Sequence, residues 1–147
     1  MLGHFATGVT VVTAAPDDQP VGLAIGSFFS VSLDPPLVGF CAGRTSTTWP
    51  RIEAAGRFCV NVLAADQEDV CRVFASKEPD KFRGVGWRES ALGSPLLHDG
   101  LAFLDCTLEA THDGGDHLIV VGRVHELEVT READPLVFFR GGYANLR

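Results

Sequence analysis

Residues 21–52 read VGLAIGSFFSVSLDPPLVGFCAGRTSTTWPRI, from Val21 to Ile52, and the succession of textures in this stretch decides the fold. Two strand-like runs lead into Asp34-Pro35-Pro36, a rigid turn because each proline ring fixes its own φ. A third apolar strand, Leu37 to Ala42, follows, and a hydroxyl-rich loop then opens a helix. That loop, Arg44-Thr45-Ser46-Thr47-Thr48, carries one cation and four hydroxyls in five residues. Backbone N–H groups at a helix start point outward, and the helix dipole favours negative charge there. The chemistry is that of an anion site, most simply a phosphate. The apolar, glycine-containing strands before the loop suit the flat organic part of the same ligand.

Outward from this stretch, β patterning dominates. Gly8 to Ala14 is rich in Val and Thr and reads as a strand, and Asp17-Asp18-Gln19-Pro20 as a turn before Val21 to Ile25. Thr47 to Ala55 reads as a short helix with Ser46 or Thr47 as N-cap, Pro50 within its first turn and Gly56 ending it. Phe58 to Leu63 is another strand. Asp66 to Ala75 has helical spacing, with Val70, Val73 and Phe74 on one face and Asp66 as the expected N-cap. Pro79 to Pro95 reads as an irregular surface excursion. Leu101 to Thr111 and His117 to Thr130 are long strands joined at Asp113-Gly114-Gly115-Asp116, and Pro135 to Phe139 is a final strand. Many strands with two or three short helices, too closely spaced for regular βαβ crossovers, predict a mainly β, mostly antiparallel barrel.

Composition narrows the function classes. A chain of 147 residues, 46% hydrophobic, is read as a single domain, 1–147, with a true core. A net charge of −7 argues against nucleic acid, which is gripped by Lys and Arg on its phosphates. No apolar run reaches the roughly 20 residues of a membrane helix, and no basic segment followed by an apolar one marks a signal peptide. Cys41, Cys59, Cys71 and Cys106 form no C-x-x-C pair, and three lie in apolar strand-like runs. They are read as reduced thiols, with a cytoplasmic location expected. His112 and His117 flank the hairpin tip, where a polar turn is the preferred reading over a metal site, and no metal is assigned. The chain has neither a G-x-S-x-G elbow nor a Walker loop nor a G-x-G-x-x-G fingerprint.

Motifs spread over nearly the whole chain carry a resemblance. They are Phe5-Ala6-Thr7-Gly8-Val9-Thr10-Val11-Val12-Thr13, Ser27-Phe28 with Ser30 to Val38, the Arg44 to Thr48 loop, Phe58-Cys59-Val60-Asn61-Val62-Leu63, Asp80-Lys81-Phe82, Gly115-Asp116-His117, and Phe139-Arg140-Gly141 with Tyr143. In order and spacing the chain resembles the flavin reductase family, the short NAD(P)H:flavin oxidoreductases built on an FMN-binding split barrel. The resemblance implies a Greek-key-like split β-barrel, FMN or FAD as flavin, and NADH or NADPH as hydride donor. It also implies a homodimer with flavin near the subunit interface, and a separate monooxygenase that receives the reduced flavin.

By the same resemblance, Arg44, Ser46, Thr47 and Lys81 are candidate phosphate contacts. Ala24, Gly26 and Ser27 would line the flavin ring, His117 would bind near the site of hydride transfer as the one candidate catalytic residue, and Tyr143 is a candidate lid. Relatives often carry Asn where this chain has Gly26, and the bland reading of Gly26 is a β-bulge. Relatives also usually place a short helical segment before the motif that starts here at Phe5. The nicotinamide is expected to stack over the flavin in one cleft, the protein's task being to hold two flat rings in near-attack geometry. Alternatives on the same scaffold are an FMN-binding electron carrier and a reductase of ferric complexes or corrinoids.

Overall fold

The structure is a computed structural model and describes residues 1–146. After a 3-10 turn at Leu2–His4, the chain forms β1 (Thr7–Gly8), β2 (Thr10–Ala14), β3 (Val21–Ile25), β4 (Phe29–Leu33) and β5 (Pro36–Gly43). Helix α1 (Trp49–Ala55) leads to β6 (Arg57–Val62), and α2 (Glu68–Phe74) to the short strands β7 (Trp87–Glu89) and β8 (Pro95–Leu97). The long strands β9 (Ala102–Gly114) and β10 (His117–Val129) come next, then β11 (Val137–Phe139) and β12 (Gly142–Ala144). Seven strands make the main antiparallel sheet in the order β3-β2-β6-β9-β10-β5-β4. Its two edge strands follow one another in the chain, and the hydroxyl of Ser27 between them accepts from the Cys41 amide of β5 at 2.9 Å. The sheet thereby curls into the split barrel that the sequence predicts.

Register decides which residues form the core. Val12, Leu23, Val60 and Leu104 stand on one rung of β2, β3, β6 and β9 and point into the barrel with Phe40, Phe58, Val120 and Trp49. The opposite rung, Val11, Ala24 and Asn61, faces α2 and the β8 segment, where Val11, Leu63, Phe74, Leu97 and Leu136 build a second core. Strand β2 is therefore buried on both faces, which explains its nearly uninterrupted apolar run. Gly22 and Gly122 are required by close approach: a Cβ there would lie 2.5 Å from the Phe74 ring and 2.6 Å from the Phe58 ring respectively.

Several expectations shift. The first strand is broken at Val9, so that β1 joins β11 while β2 joins the barrel. Helix α1 starts at Trp49 rather than Thr47, with Thr48 at the N-cap position and the hydroxyl of Ser46, one of the two expected caps, accepting from the Thr48 and Trp49 amides. Gly56 ends it with φ 70°, as its lack of a Cβ allows. Asp66 does not cap α2. It lies in a 3-10 turn closed by Gln67, whose side chain accepts from the Ala64 amide at 2.8 Å, and its carboxylate pairs with Arg131 at 2.7 Å. The irregular segment contains the β7–β8 pair, and β12 extends the final strand into a hairpin. The β9–β10 turn is tighter than expected, only Gly115-Asp116, with Gly115 at φ 73°. Gly26 is no bulge, since β3 ends at Ile25 and the chain bends there.

Candidate functional site

The tight β9–β10 turn brings two distant motifs together. Strand β10 pairs with β5 so that His117 stands opposite Gly43, and one residue further the Arg44 amide donates to the Asp116 carbonyl at 3.0 Å. The Arg44 side chain then reaches across the hairpin. Its Nε donates to the Gly115 carbonyl and its Nη2 to Asp113 Oδ1, each at 2.7 Å. The hydroxyl loop and the Gly115-Asp116-His117 tip thus form one continuous surface. Ser27 stands on its border, tied through both hydroxyl roles to the Cys41 backbone in β5.

The donor set of this surface matches a phosphate ester. Arg44, Thr45 and Thr47 are exposed and Ser46 is half-buried. Ser46 accepts from two amides, which leaves its own O–H free to donate. No hydrogen bond within the protein engages the hydroxyls of Thr45 and Thr47 among the described residues. Helix α1 has only seven residues, so its dipole adds little and the anion chemistry rests on Arg44 and the hydroxyls.

His117 Nδ1 lies 2.7 Å from Asp116 Oδ1, and that hydrogen bond holds the Asp116 carboxyl below the usual carboxylate range. With Nδ1 engaged, Nε2 is the ring atom that remains for a ligand; it lies over Gly43, where a Cβ would be 3.9 Å from it. His112 pairs with Ile119 rather than His117, so the two imidazoles do not oppose each other across the hairpin. Among the described residues no group of three His, Cys, Asp or Glu is arranged to hold a metal.

The other candidates gather elsewhere. Lys81 is half-buried against α2 and β3, its Nζ donating to the Phe74 carbonyl at 3.0 Å and to Gly22 at 3.4 Å. It closes the C-terminal end of α2, where a cation suits the dipole, and burial lowers its pKa. Its protein partners among the described residues are these two carbonyls, and none is in the Arg44 loop. Ala24 packs into the second core together with Tyr143. The Tyr143 hydroxyl donates to Cys71 Sγ at 3.1 Å and Arg72 lies over the ring, 4.8 Å from its centroid. Burial and the Cys71 contact raise the Tyr143 pKa to about 12. Gly26 lies exposed between the two groups, and a Cβ there would meet only Thr7 Oγ1 at 3.5 Å, so an amide side chain has room. Asp113, the counter-ion of Arg44, was not predicted in that role; the pair spans 69 residues of chain and no local pattern announces it.

A cleft of about 530 Å³ opens beside α2, between Val70, Val85, Leu97, His98 and the Asp66–Arg131 pair. It contains none of the candidate binding or catalytic residues read from the sequence.

Residues 2–147 match the flavin reductase like domain family. The reductase subunit HsaB of a flavin-dependent monooxygenase from Rhodococcus jostii is 53% identical, over 99% of this chain and 75% of that protein. Nitrilotriacetate monooxygenase component B from Mycobacterium thermoresistibile superposes with a TM-score of 0.97 at 51% identity, covering 99% of this chain and 83% of that one. The NADH:FAD oxidoreductase SgcE6 of Streptomyces globisporus, solved with NAD and FAD fragments, gives 0.94 at 37% identity, with 99% and 88% coverage.

Proposed function

The chain belongs to the flavin reductase family, and we propose that the Arg44–Thr48 loop and the Gly115-Asp116-His117 tip together bind its flavin phosphate and its nicotinamide. The protein is an oxidoreductase, an NAD(P)H-dependent flavin reductase. The observation that carries the site is the fusion of the two motifs by the Arg44–Asp116 and Arg44–Gly115 hydrogen bonds. Arg44 and the hydroxyls of Ser46 and Thr47 hold the phosphate, Ser27 and Gly26 border the ring, and His117 offers Nε2 to whichever ring system stacks beside it. Ala24, Lys81 and Tyr143 keep the flavin-contact roles that the family resemblance assigns them. The flavin, when bound, accepts the hydride that the reduced nicotinamide gives up.

The reduced flavin serves a separate monooxygenase, as the naming of HsaB as a reductase subunit supports. The protein acts in the cytoplasm as a homodimer of single-domain chains. Exposed apolar side chains on the barrel wall, Leu33 at 90%, Val129 at 71% and Leu127 at 62% exposure, support a covered face. Sedimentation that finds only monomers at micromolar concentration refutes the dimer. Anaerobic oxidation of NADH and NADPH with FMN or FAD tests the site. Wild type bleaches the flavin, and Arg44→Gln does so with a flavin KM raised about tenfold, the loss of one charge-assisted hydrogen bond. An unchanged KM removes Arg44 from the site.

A further inference from the structure

The guanidinium of Arg44 has five N–H donors. One edge faces the hairpin, with Nε on the Gly115 carbonyl and Nη2 on Asp113. The terminal edge, Nη1 with the second Nη2 proton, is left for a ligand. Two partners thus hold one edge, and they differ in kind. The Gly115 carbonyl orients the group without altering its charge. Asp113 carries a full negative charge and sits at 2.7 Å from the cation it faces.

The Asp113 side chain is 91% exposed and that of Arg44 43%. A pair so open to water adds little to folding stability. Its consequence falls instead on whatever approaches the free edge: an incoming phosphate meets a nearly neutral pair rather than an isolated cation. The Arg44 amide and the Gly115 carbonyl already fasten the loop to the hairpin, so the carboxylate charge is not needed for the geometry.

We propose that Asp113 is a positioning residue that acts through Arg44 to set how tightly the loop holds a phosphate, weakening it so that the flavin can leave. The inference rests on the reading of the Arg44 loop as the flavin phosphate site, and the experiment separates the two. Binding of FMN and of riboflavin, which lacks the phosphate, is measured by fluorescence quenching for wild type, Asp113→Asn, Asp113→Glu and Arg44→Gln. Asn preserves the Oδ1 acceptor while removing the charge.

Asp113→Asn is expected to lower the FMN dissociation constant about two- to five-fold, the range an exposed ion pair supports. Riboflavin affinity stays put, the FMN gain shrinks at high salt through screening, and Asp113→Glu restores the wild-type value. FMN bound no better by Asp113→Asn, or riboflavin tightened equally, overturns the proposal. If instead Arg44→Gln binds FMN as wild type does, the phosphate reading itself falls and takes the role of Asp113 with it.

Discussion

Two polar assemblies sit on neighbouring parts of one sheet and use similar chemistry to opposite ends. In β6, Asn61 is 1% exposed; its Nδ2 donates to the Val11 carbonyl and the Thr13 hydroxyl, each at 3.0 Å, and its Oδ1 accepts from the Leu97 amide at 2.9 Å. The Thr13 hydroxyl in turn donates to the Pro95 carbonyl at 2.5 Å. This network stitches the β8 segment to the sheet and leaves no site for a ligand. At the hairpin tip, Arg44, Asp113, Asp116 and His117 make bonds as short, yet all four residues are exposed to water. Hydrogen-bond length is alike in the two places; solvent access differs. Where water is excluded, an unmade bond costs the full desolvation of its partners, and the assembly serves the fold. Where water competes, the same bonds add little to stability, and the donors stay available to a ligand.

That contrast is easiest to break at its buried end. Asn61→Ala strands the Leu97 amide and the Val11 carbonyl, and a loss of about 3 kcal/mol is expected in chemical denaturation. A loss below about 1 kcal/mol shows that the network is not structural. At the exposed end, Arg44→Gln is expected to change stability by less than about 0.5 kcal/mol, while the flavin KM rises as described above. Equal damage to stability from both substitutions erases the distinction.

Tyr143 lies between the extremes and sharpens the boundary. As the sole tyrosine of the chain it can be titrated directly by tyrosinate absorbance. Ionisation at about 12, above the usual 10.0, is expected because burial and Cys71 favour the neutral phenol. A pKa raised by folding contributes stability that is fully present below the unfolded value. That contribution fades as pH rises from there through about 12. Titration at the ordinary value places the ring in solvent and makes it free to act as a lid.

The smallest expected effect belongs to Asp116. Its carboxyl is held low by His117, so the contribution is present at neutral pH and is lost only as pH falls through the lowered value. Carboxyl chemical shifts in acid titration locate that transition, and Asp116→Asn abolishes it. A transition at the ordinary carboxylate position shows the Asp116–His117 bond to be absent in solution.

Much of the barrel was legible because its signals are local. Apolar β-branched runs marked β2, β3, β5 and β6, Gly56 marked the end of α1, and Asp113-Gly114-Gly115-Asp116 marked the hairpin, two residues wider than its turn. The errors were local as well: α1 begins two residues later than Thr47, and Asp66, a good N-cap by type, sits in the preceding 3-10 turn and pairs with Arg131. The strand pair in 87–97 was missed because each partner is only three residues long and no period can show in so few.

By itself the sequence determined the mainly β architecture, the hydroxyl-rich loop and the residues able to meet an anion, since strand periodicity, turn chemistry and side-chain type are properties of neighbours in the chain. Only the tertiary structure decided how those residues are spent. The β5–β10 register carries Arg44 to Asp113 and Gly115, and the packing of α2 takes up Lys81 and Tyr143. Such pairings span 7 to 72 residues. Even the shortest depends on where an element docks, which is set by the burial of whole faces and written in no single motif.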